Sequence, residues 1–222
     1  MKGTHHLANT MIFKNMNNFS LKTNIFQPVY RERGPIRSRL KYLRLDKNER
    51  VSNFEKKLFK KIIKNFKSEY LTAYPELEKI YTLIAKINNI SKNNLVITAG
   101  SDGAIRMCFD LFTKNNDQII CLSPTFAMVD VYSRTHKLKQ IKIKYDINLA
   151  LDLKSILKNI TKNIALIILA NPNSPTGTLI KKKNLIAIIK KSQSKKVPIL
   201  IDEAYFGFTK FTALPLIKKY KN

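Results

Sequence analysis

The sequence predicts an α/β fold in which a mainly parallel sheet lies between two layers of helices. Two continuous apolar runs, residues 164–170 and 197–201, are separated by residues 182–191, which have helical periodicity. Strands that are apolar on both faces are typical of parallel sheets covered by helices on each side. Polar residues follow both runs, and open α/β sheets bind ligands at the carboxyl ends of their strands. The sequence therefore predicts a ligand site at this edge of the sheet.

Composition narrows the classes of partner. The net charge is +26, but the lysines are spread along all 222 residues and gather on no single arm or face. We therefore expect no specific nucleic-acid partner. No apolar run approaches the roughly 18 residues that cross a bilayer, so we expect no membrane partner. Cys108 and Cys121 lie in apolar settings without zinc-like spacing, which predicts free thiols, no metal site and a cytoplasmic location.

The N-terminal third is predicted to contain an arm and two helices. Residues 1–40 have no sustained periodicity and are interpreted as an extended arm. Residues 53–67 place apolar side chains at helical spacing, with Ser52 or Asn53 as the cap. A turn then leads into a second helix over residues 77–87.

The remaining elements alternate as an α/β fold requires. Residues 95–99 are interpreted as a buried strand that runs through a glycine-containing turn into a helix over residues 104–112. Further along, the apolar pattern predicts a strand over residues 118–122 and a second strand, at the sheet margin, over residues 138–145. It also predicts helices over residues 128–135, 151–157 and 214–220.

The turn after residues 95–99 is a candidate phosphate site. A strand, a tight turn and a helix together point free backbone N–H groups at an anion, and the helix dipole favours negative charge there. Ser101, Asp102 and Gly103 occupy this turn. A lone Gly-x-x-Gly is a weak signal, and a turn followed by a helix cap is the alternative interpretation.

Asp202 is the most informative single residue of the predicted site. A carboxylate at the end of a buried strand requires a cationic partner, and a protonated pyridine nitrogen would serve. Tyr205 offers a phenol donor near the same point, and Asn173 and Ser174 are short polar side chains held between prolines. The alternative is a polar turn after one strand and a capping aspartate after the other.

Six motifs occur in one order along the chain: Leu45 to Glu49, Ala73 to Glu76, Ala99 to Gly103, Ser123 to Phe126, Asn171 to Gly177, and Asp202 to Tyr205. In this the sequence resembles the fold-type I pyridoxal-phosphate-dependent aminotransferases of class I/II, and most closely the histidinol-phosphate aminotransferase family. The resemblance implies a three-layer α/β/α major domain, pyridoxal 5'-phosphate as cofactor, and a homodimer. The implied reaction moves an amino group from an amino acid to a keto acid or a phosphorylated carbonyl.

The resemblance also assigns cofactor contacts to residues of this chain. Tyr74 matches the tyrosine that reaches across the dimer to the cofactor phosphate, and Phe126 matches the aromatic residue that stacks on the pyridine ring. Many relatives have asparagine directly before Pro-Thr-Gly, where its amide holds the cofactor's phenolic oxygen. This chain has Ser174 there, so Asn171, Asn173 or the serine itself is expected to make the contact, and Asn173 is favoured.

The family's Schiff-base lysine lies in a Ser-x-Ser-Lys-type segment on the strand after Asp202. We expect residues 206–222 to stop before that strand, so no catalytic residue is assigned. Ser192 to Lys195 resemble the segment but precede Asp202. We therefore expect a partial transferase domain over residues 41–222, incomplete at its C-terminus, inactive alone, and with residues 95–99 lacking their neighbouring strand.

Two other functions stay open. A decarboxylase of a phosphorylated amino acid has the same motifs, and a non-catalytic fragment would keep only cofactor-binding or pairing surfaces. Sequencing the DNA beyond codon 222 discriminates the enzyme from the fragment, because only the enzyme requires a continuation with the lysine segment.

Overall fold

The computed structural model describes residues 39–45 and 48–222. The chain divides into two compact units, one containing residues 97–222 and the other the described residues up to 96. The predicted arm, apart from Arg39 and Leu40, and the motif residues Asp46 and Lys47 lie outside the described part. The arm and its boundary therefore stay predictions.

The unit that ends at residue 96 contains the two predicted helices, α1 (Lys56–Asn65) and α2 (Glu78–Asn88). It also contains three short 3-10 turns, at Arg39–Lys41, Ser68–Leu71 and Lys92–Asn94.

The predicted cap of α1 is wrong, because the helix begins at Lys56 after Glu55, which makes no side-chain cap bond. The Arg50 guanidinium donates to the carbonyls of Ser52 (2.9 Å) and Asn53 (3.4 Å) and lies 4.9 Å from the Phe54 ring centre. These contacts hold the stretch before Glu55 outside the helix.

This unit buries little apolar surface. Ala85 is its one buried hydrophobic side chain among the described residues, while the apolar side chains of α1 are about half exposed. The unit also contains ion pairs, since Glu49 accepts from Arg39 and from the largely covered Arg44, and Glu78 pairs with Lys92. Ion pairs near the surface contribute little stability. With one buried hydrophobic side chain among its described residues, this unit has no substantial core of its own.

The unit containing residues 97–222 has the predicted parallel sheet. Its strands are β1 (Gln118–Ser123), β2 (Lys139–Lys144), β3 (Ile164–Ala170) and β4 (Ile199–Asp202). They are ordered β2-β1-β3-β4, and every neighbouring pair is parallel. The expected position of residues 138–145 at the sheet margin is confirmed.

Helices cover both faces of this sheet. They are α3 (Gly100–Phe112), α4 (Ala127–Thr135), α5 (Leu153–Asn159) and α6 (Lys182–Ser194). One apolar cluster joins α5 and α6 to the sheet and the other joins α3 and α4 to it. Ile167 and Leu169 of β3 belong to the first cluster, and Leu166 and Ile168 to the second. This alternation confirms the three-layer prediction for β3.

Strand β4 is less buried than its sequence predicts. Its residues are all partly exposed, although Val197 just before it is buried. The reason is position, because β4 is an edge strand and only β3 pairs with it as a strand. The Ile199 N–H donates to the carbonyl of Asn222 (2.9 Å), so residue 222 lies beside β4 on the edge that faces away from β3.

The prediction of a buried strand over residues 95–99 is wrong. Leu95 is extended (φ −128°, ψ 131°), but the segment is not part of the sheet and Val96 is 62% exposed. An apolar run forms a strand only where a neighbour supplies hydrogen-bond partners for its backbone.

Two helix predictions shift at their ends. Helix α3 begins at Gly100, so the predicted phosphate turn is the first turn of the helix itself. The segment near residue 214 is a short 3-10 helix, Leu214–Lys218, with a proline in its first turn.

Both cysteines are free thiols. Burial raises the pKa of Cys121 to about 11 and raises that of Cys108 by less. Cys121 therefore stays protonated and unreactive near neutral pH. As for the membrane, none of the helices in residues 39–45 and 48–222 is both long and apolar enough to span one.

Candidate functional site

The carboxyl ends of β1, β3 and β4 form the candidate site. Ala170 at the end of β3 pairs with Asp202 at the end of β4, and the Asn171 N–H donates to the Asp202 carbonyl (2.8 Å). The two polar segments that the sequence singled out therefore lie side by side. Helix α3 also contacts β3 and β4, so its first turn belongs to the same unit.

Asp202 lies half-buried at the end of β4. One carboxylate oxygen accepts from the Ala204 N–H (3.0 Å), and no salt bridge to Asp202 forms among the described residues. Burial raises the pKa of this carboxyl, and the hydrogen bond from Ala204 opposes the rise. A carboxylate that is partly desolvated and has no cationic partner in the described part of the chain fits a cationic ligand atom, such as the protonated nitrogen of a pyridine.

The same carboxylate is expected to cost the ligand-free protein stability. A raised pKa means that the folded state binds the proton more tightly than the unfolded state, so stability falls as pH rises from about 3.8 through the folded-state pKa. We expect Asp202→Asn to increase the free energy of unfolding at pH 7. The gain should shrink as pH is lowered toward 4, and urea unfolding across this range measures it.

Asp110→Asn is the matched control because it removes the same charge. Asp110 is on the surface, 3.2 Å from His136, and also pairs with Arg106. Its replacement should leave stability unchanged or lower it. A loss of stability in Asp202→Asn at pH 7 would show that the carboxylate is compensated in the folded state.

The neighbouring carboxylate, Glu203, has its partners within the protein. Its two oxygens accept from the Thr212 hydroxyl and the Ala213 N–H, each at 2.6 Å. Glu203 therefore holds the segment after β4 in place. Of these two adjacent acids, Glu203 has both oxygens in hydrogen bonds, whereas Asp202 has one oxygen without a partner among the described residues.

Asn173 lies between the loops that follow β1 and β3. Its amide oxygen accepts from the Thr125 hydroxyl (2.9 Å), and its amide nitrogen donates to the Pro124 carbonyl (3.0 Å) and to the Thr176 hydroxyl (2.8 Å). Both amide hydrogens are thus used within the protein. Ser174 is only partly buried, and its hydroxyl makes no hydrogen bond among the described residues.

Asn171 is fully buried beside this network. Its amide oxygen accepts from the Ile180 N–H (2.8 Å), which fixes the orientation of the amide. The amide nitrogen has no partner among the described residues. Asn171 therefore keeps a donor that Asn173 does not.

The first turn of α3 contains Ser101, Asp102 and Gly103. Gly100 enters it with φ +72°, and a Cβ at Gly103 would lie 3.2 Å from the Thr98 side chain, so both glycines suit the tight turn. The Asp102 carboxylate accepts from the Tyr132 hydroxyl (3.1 Å). N–H groups in the first turn of a helix have no intrahelical partners and suit an anion.

The three predicted aromatic contacts differ in position. Phe126 is the N-cap residue of α4 and packs against the cluster under α3 and α4. Tyr205 follows β4, and its ring centre lies 6.0 Å from that of Phe208. Tyr74 belongs to the other unit and is 99% exposed. The structure thus brings Phe126 and Tyr205 into the unit that contains Asp202.

Sequence reasoning missed Thr125 and Thr176. Both hydroxyls bind Asn173, and that of Thr176 also lies 2.8 Å from the Thr178 hydroxyl. Their signal in the sequence is a threonine directly after a proline in each motif. No group of three or more metal-binding side chains lies close together in the part of the chain that the structure describes.

Comparison with known proteins identifies relatives of this chain. The profile of the family "Aminotransferase class I and II" matches residues 45–222. The histidinol-phosphate aminotransferase of Thermoanaerobacter pseudethanolicus is 30% identical over 182 residues, which cover 81% of this chain and 51% of the relative. That of Brachyspira hyodysenteriae is 34% identical over 185 residues, covering 82% and 50%.

Solved structures agree with this relationship. The histidinol-phosphate aminotransferase of Clostridium acetobutylicum superimposes with a TM-score of 0.61 and 25% identity over 74% of this chain and 48% of that one. Cystalysin of Treponema denticola, which contains pyridoxal 5'-phosphate, has a TM-score of 0.57 over 65% of this chain and 38% of that one. At 20% identity it indicates a common fold only. The chain spans about half the length of the curated relatives it matches. With most of its length matched, the chain belongs to the class I and II aminotransferases, a family of pyridoxal-phosphate-dependent enzymes.

Proposed function

We propose that this chain contributes the cofactor-binding part of a pyridoxal-phosphate-dependent aminotransferase of the histidinol-phosphate aminotransferase type. The observation that carries the proposal is Asp202, a half-buried carboxylate without a salt bridge among the described residues, at the end of strand β4 and the start of the last of the six motifs. Such a group is costly unless a cation arrives. The pyridine nitrogen of the cofactor, once protonated, supplies one.

The other contacts follow from the position of each side chain. The first turn of α3, with Ser101, Asp102 and Gly103, would hold the phosphate through its backbone N–H groups. Phe126 would lie against the ring, and Ser174 and Tyr205 offer hydroxyls for the phenolic oxygen. Tyr74 is proposed to serve the same site in a homodimer, and Asn173 is treated below.

Pyridoxal phosphate, when bound, supplies a carbon that accepts the amino group and a ring that withdraws electrons during the transfer. Asp202 keeps the ring nitrogen protonated, because a carboxylate beside it favours the charged form. Phe126 restricts the tilt of the ring. The first turn of α3 anchors the far end of the molecule, so the reacting carbon is held in one place.

The substrates proposed are an amino acid as donor and a keto acid or phosphorylated carbonyl as acceptor. Support for the phosphorylated acceptor comes from the relatives named above, which are histidinol-phosphate aminotransferases. A cytoplasmic location is proposed for the same reason.

Binding of pyridoxamine 5'-phosphate tests the proposal. This amine form of the cofactor has no aldehyde, so it cannot condense with the many surface lysines. Equilibrium dialysis of the purified chain should show saturable binding near one molecule per chain. Pyridoxamine, which lacks the phosphate, should bind at least about tenfold more weakly, as expected for loss of charged hydrogen bonds.

The contribution of the ligand's phosphate group to binding affinity needs a control, because a chain with a net charge of +26 attracts any anion. Dialysis at low and high salt separates the two effects, since nonspecific attraction is screened and a built site is screened much less. Binding that is unsaturable, or that disappears at high salt, would overturn the proposal.

A further inference from the structure

We infer that Asn173 is a positioning residue that locks the loop after β1 to the loop after β3 and so fixes the place of Phe126. The inference rests on the proposed function. It reverses the expectation that Asn173 is itself the favoured contact to the cofactor's phenolic oxygen.

The side chain of Asn173 is 2% exposed and has three hydrogen-bond partners. Two of them, Thr125 and Pro124, precede it by nearly fifty residues, so these bonds join distant parts of the chain. Its backbone is also held, since its N–H donates to the Thr178 carbonyl (2.9 Å) and its carbonyl accepts from the Gly177 N–H (2.8 Å). Asn173 is therefore anchored on every side.

The partners in the first loop explain what this anchoring does. Pro124 and Thr125 directly precede Phe126, which is the N-cap residue of α4. Holding the Pro124 carbonyl and the Thr125 hydroxyl fixes the backbone at the point where the Phe126 side chain leaves it. A ring that is to lie flat against a cofactor depends on this direction, and small displacements weaken such contacts.

An amide suits this position better than a carboxylate does. The Pro124 carbonyl can only accept, and the amide nitrogen donates to it and to the Thr176 hydroxyl, while the amide oxygen accepts from the Thr125 hydroxyl. Aspartate would place a second oxygen against the Pro124 carbonyl, and both would repel. A donor contact from Asn173 to a ligand would require breaking one of these bonds. Among the described residues, the groups of this loop without a partner are instead the buried amide nitrogen of Asn171 and the hydroxyl of Ser174.

Variants of Asn173 and Thr125 test the inference through binding of pyridoxamine 5'-phosphate. We expect Asn173→Asp and Thr125→Val each to weaken binding, Asn173→Asp by about tenfold or more. Thr125→Ser, which keeps the hydroxyl, should stay within about twofold. Asn173→Ala combined with Thr125→Val should bind no worse than Asn173→Ala alone, because the two residues act through one contact.

Inorganic phosphate provides the readout that a general loss of structure would not reproduce. The affinity for phosphate alone should be unchanged in Thr125→Val, because this variant adds no charge and does not alter the first turn of α3, while the affinity for pyridoxamine itself falls. If Asn173→Asp does not fold, Thr125→Val with its serine control carries the same test. Equal ring affinity in folded wild type and Thr125→Val overturns this inference alone, whereas no binding by wild type overturns it together with the proposed function.

Discussion

Replacing Asp202 by alanine is expected to lower the affinity for pyridoxamine 5'-phosphate by between about tenfold and 100-fold. A hydrogen bond between charged groups contributes about 1.5–3 kcal/mol, and each 1.4 kcal/mol is a factor of ten in affinity. Asp202 is half-buried, so the pyridinium would meet it in a medium of lower dielectric constant than water. Equilibrium dialysis of wild type and variant gives the two dissociation constants directly.

The direction of this effect separates it from general electrostatics. Removing an acid makes the chain more positive, and on charge alone an anionic ligand would bind more tightly. Asp110→Ala makes the same charge change on the surface of α3 and should leave affinity unchanged or raise it slightly. If Asp202→Ala and Asp110→Ala change the affinity for pyridoxamine 5'-phosphate by the same factor, Asp202 is an ordinary acid at the end of a strand and does not contact the ligand.

Amino transfer should be more sensitive to Asp202 than binding is. The test uses a chimera in which this chain is joined to the second half of a related aminotransferase, because the chain spans about half the length of its curated relatives. In that enzyme we expect Asp202→Ala to lower kcat by about 100-fold or more, since the protonated ring nitrogen stabilises charge mainly in the transition state. Activity within about threefold of the parent would mean that Asp202 only holds the turn after β4, through its hydrogen bond from the Ala204 N–H.

The sheet was predictable where composition alone decides it. The run over residues 164–170 is apolar at every position, and β3 has neighbours on both sides and clusters on both faces. The run over 95–99 is also apolar except for Thr98, yet it forms no strand. The composition of a segment indicates whether it is suited to burial. Whether the segment forms a strand depends on a neighbouring strand that pairs with it, and the sequence of the segment itself does not identify that neighbour.

Asp202 was predictable for a different reason. A charge at the end of an apolar run is unusual and costly, so it stands out without any knowledge of its surroundings. Asn173 carries no such signal, because asparagine suits both a ligand contact and a structural clamp. The choice between them depends on Thr125 and Pro124, which lie nearly fifty residues earlier and come close only through the parallel pairing of β1 and β3.

Phe109→Ala should be the most destabilising of the substitutions considered, by about 3–5 kcal/mol. Phe109 is 0% exposed and lies in the cluster that joins α3 and α4 to the sheet. Its ring centre is 5.7 Å from that of Tyr132 and 5.8 Å from that of His136, so alanine would leave a cavity between two helices. Since small domains are stable by only about 5–15 kcal/mol, this loss is a large share of the total.

Phe112→Ala supplies the matched control in the same helix. Phe112 is 47% exposed, so its removal leaves no enclosed cavity and should cost less than about 1 kcal/mol. Urea unfolding of the two variants, followed by far-UV circular dichroism, measures the difference. Equal losses would mean that α3 does not pack on the sheet in solution, and the first turn that presents Ser101, Asp102 and Gly103 would then lack the support on which phosphate binding depends.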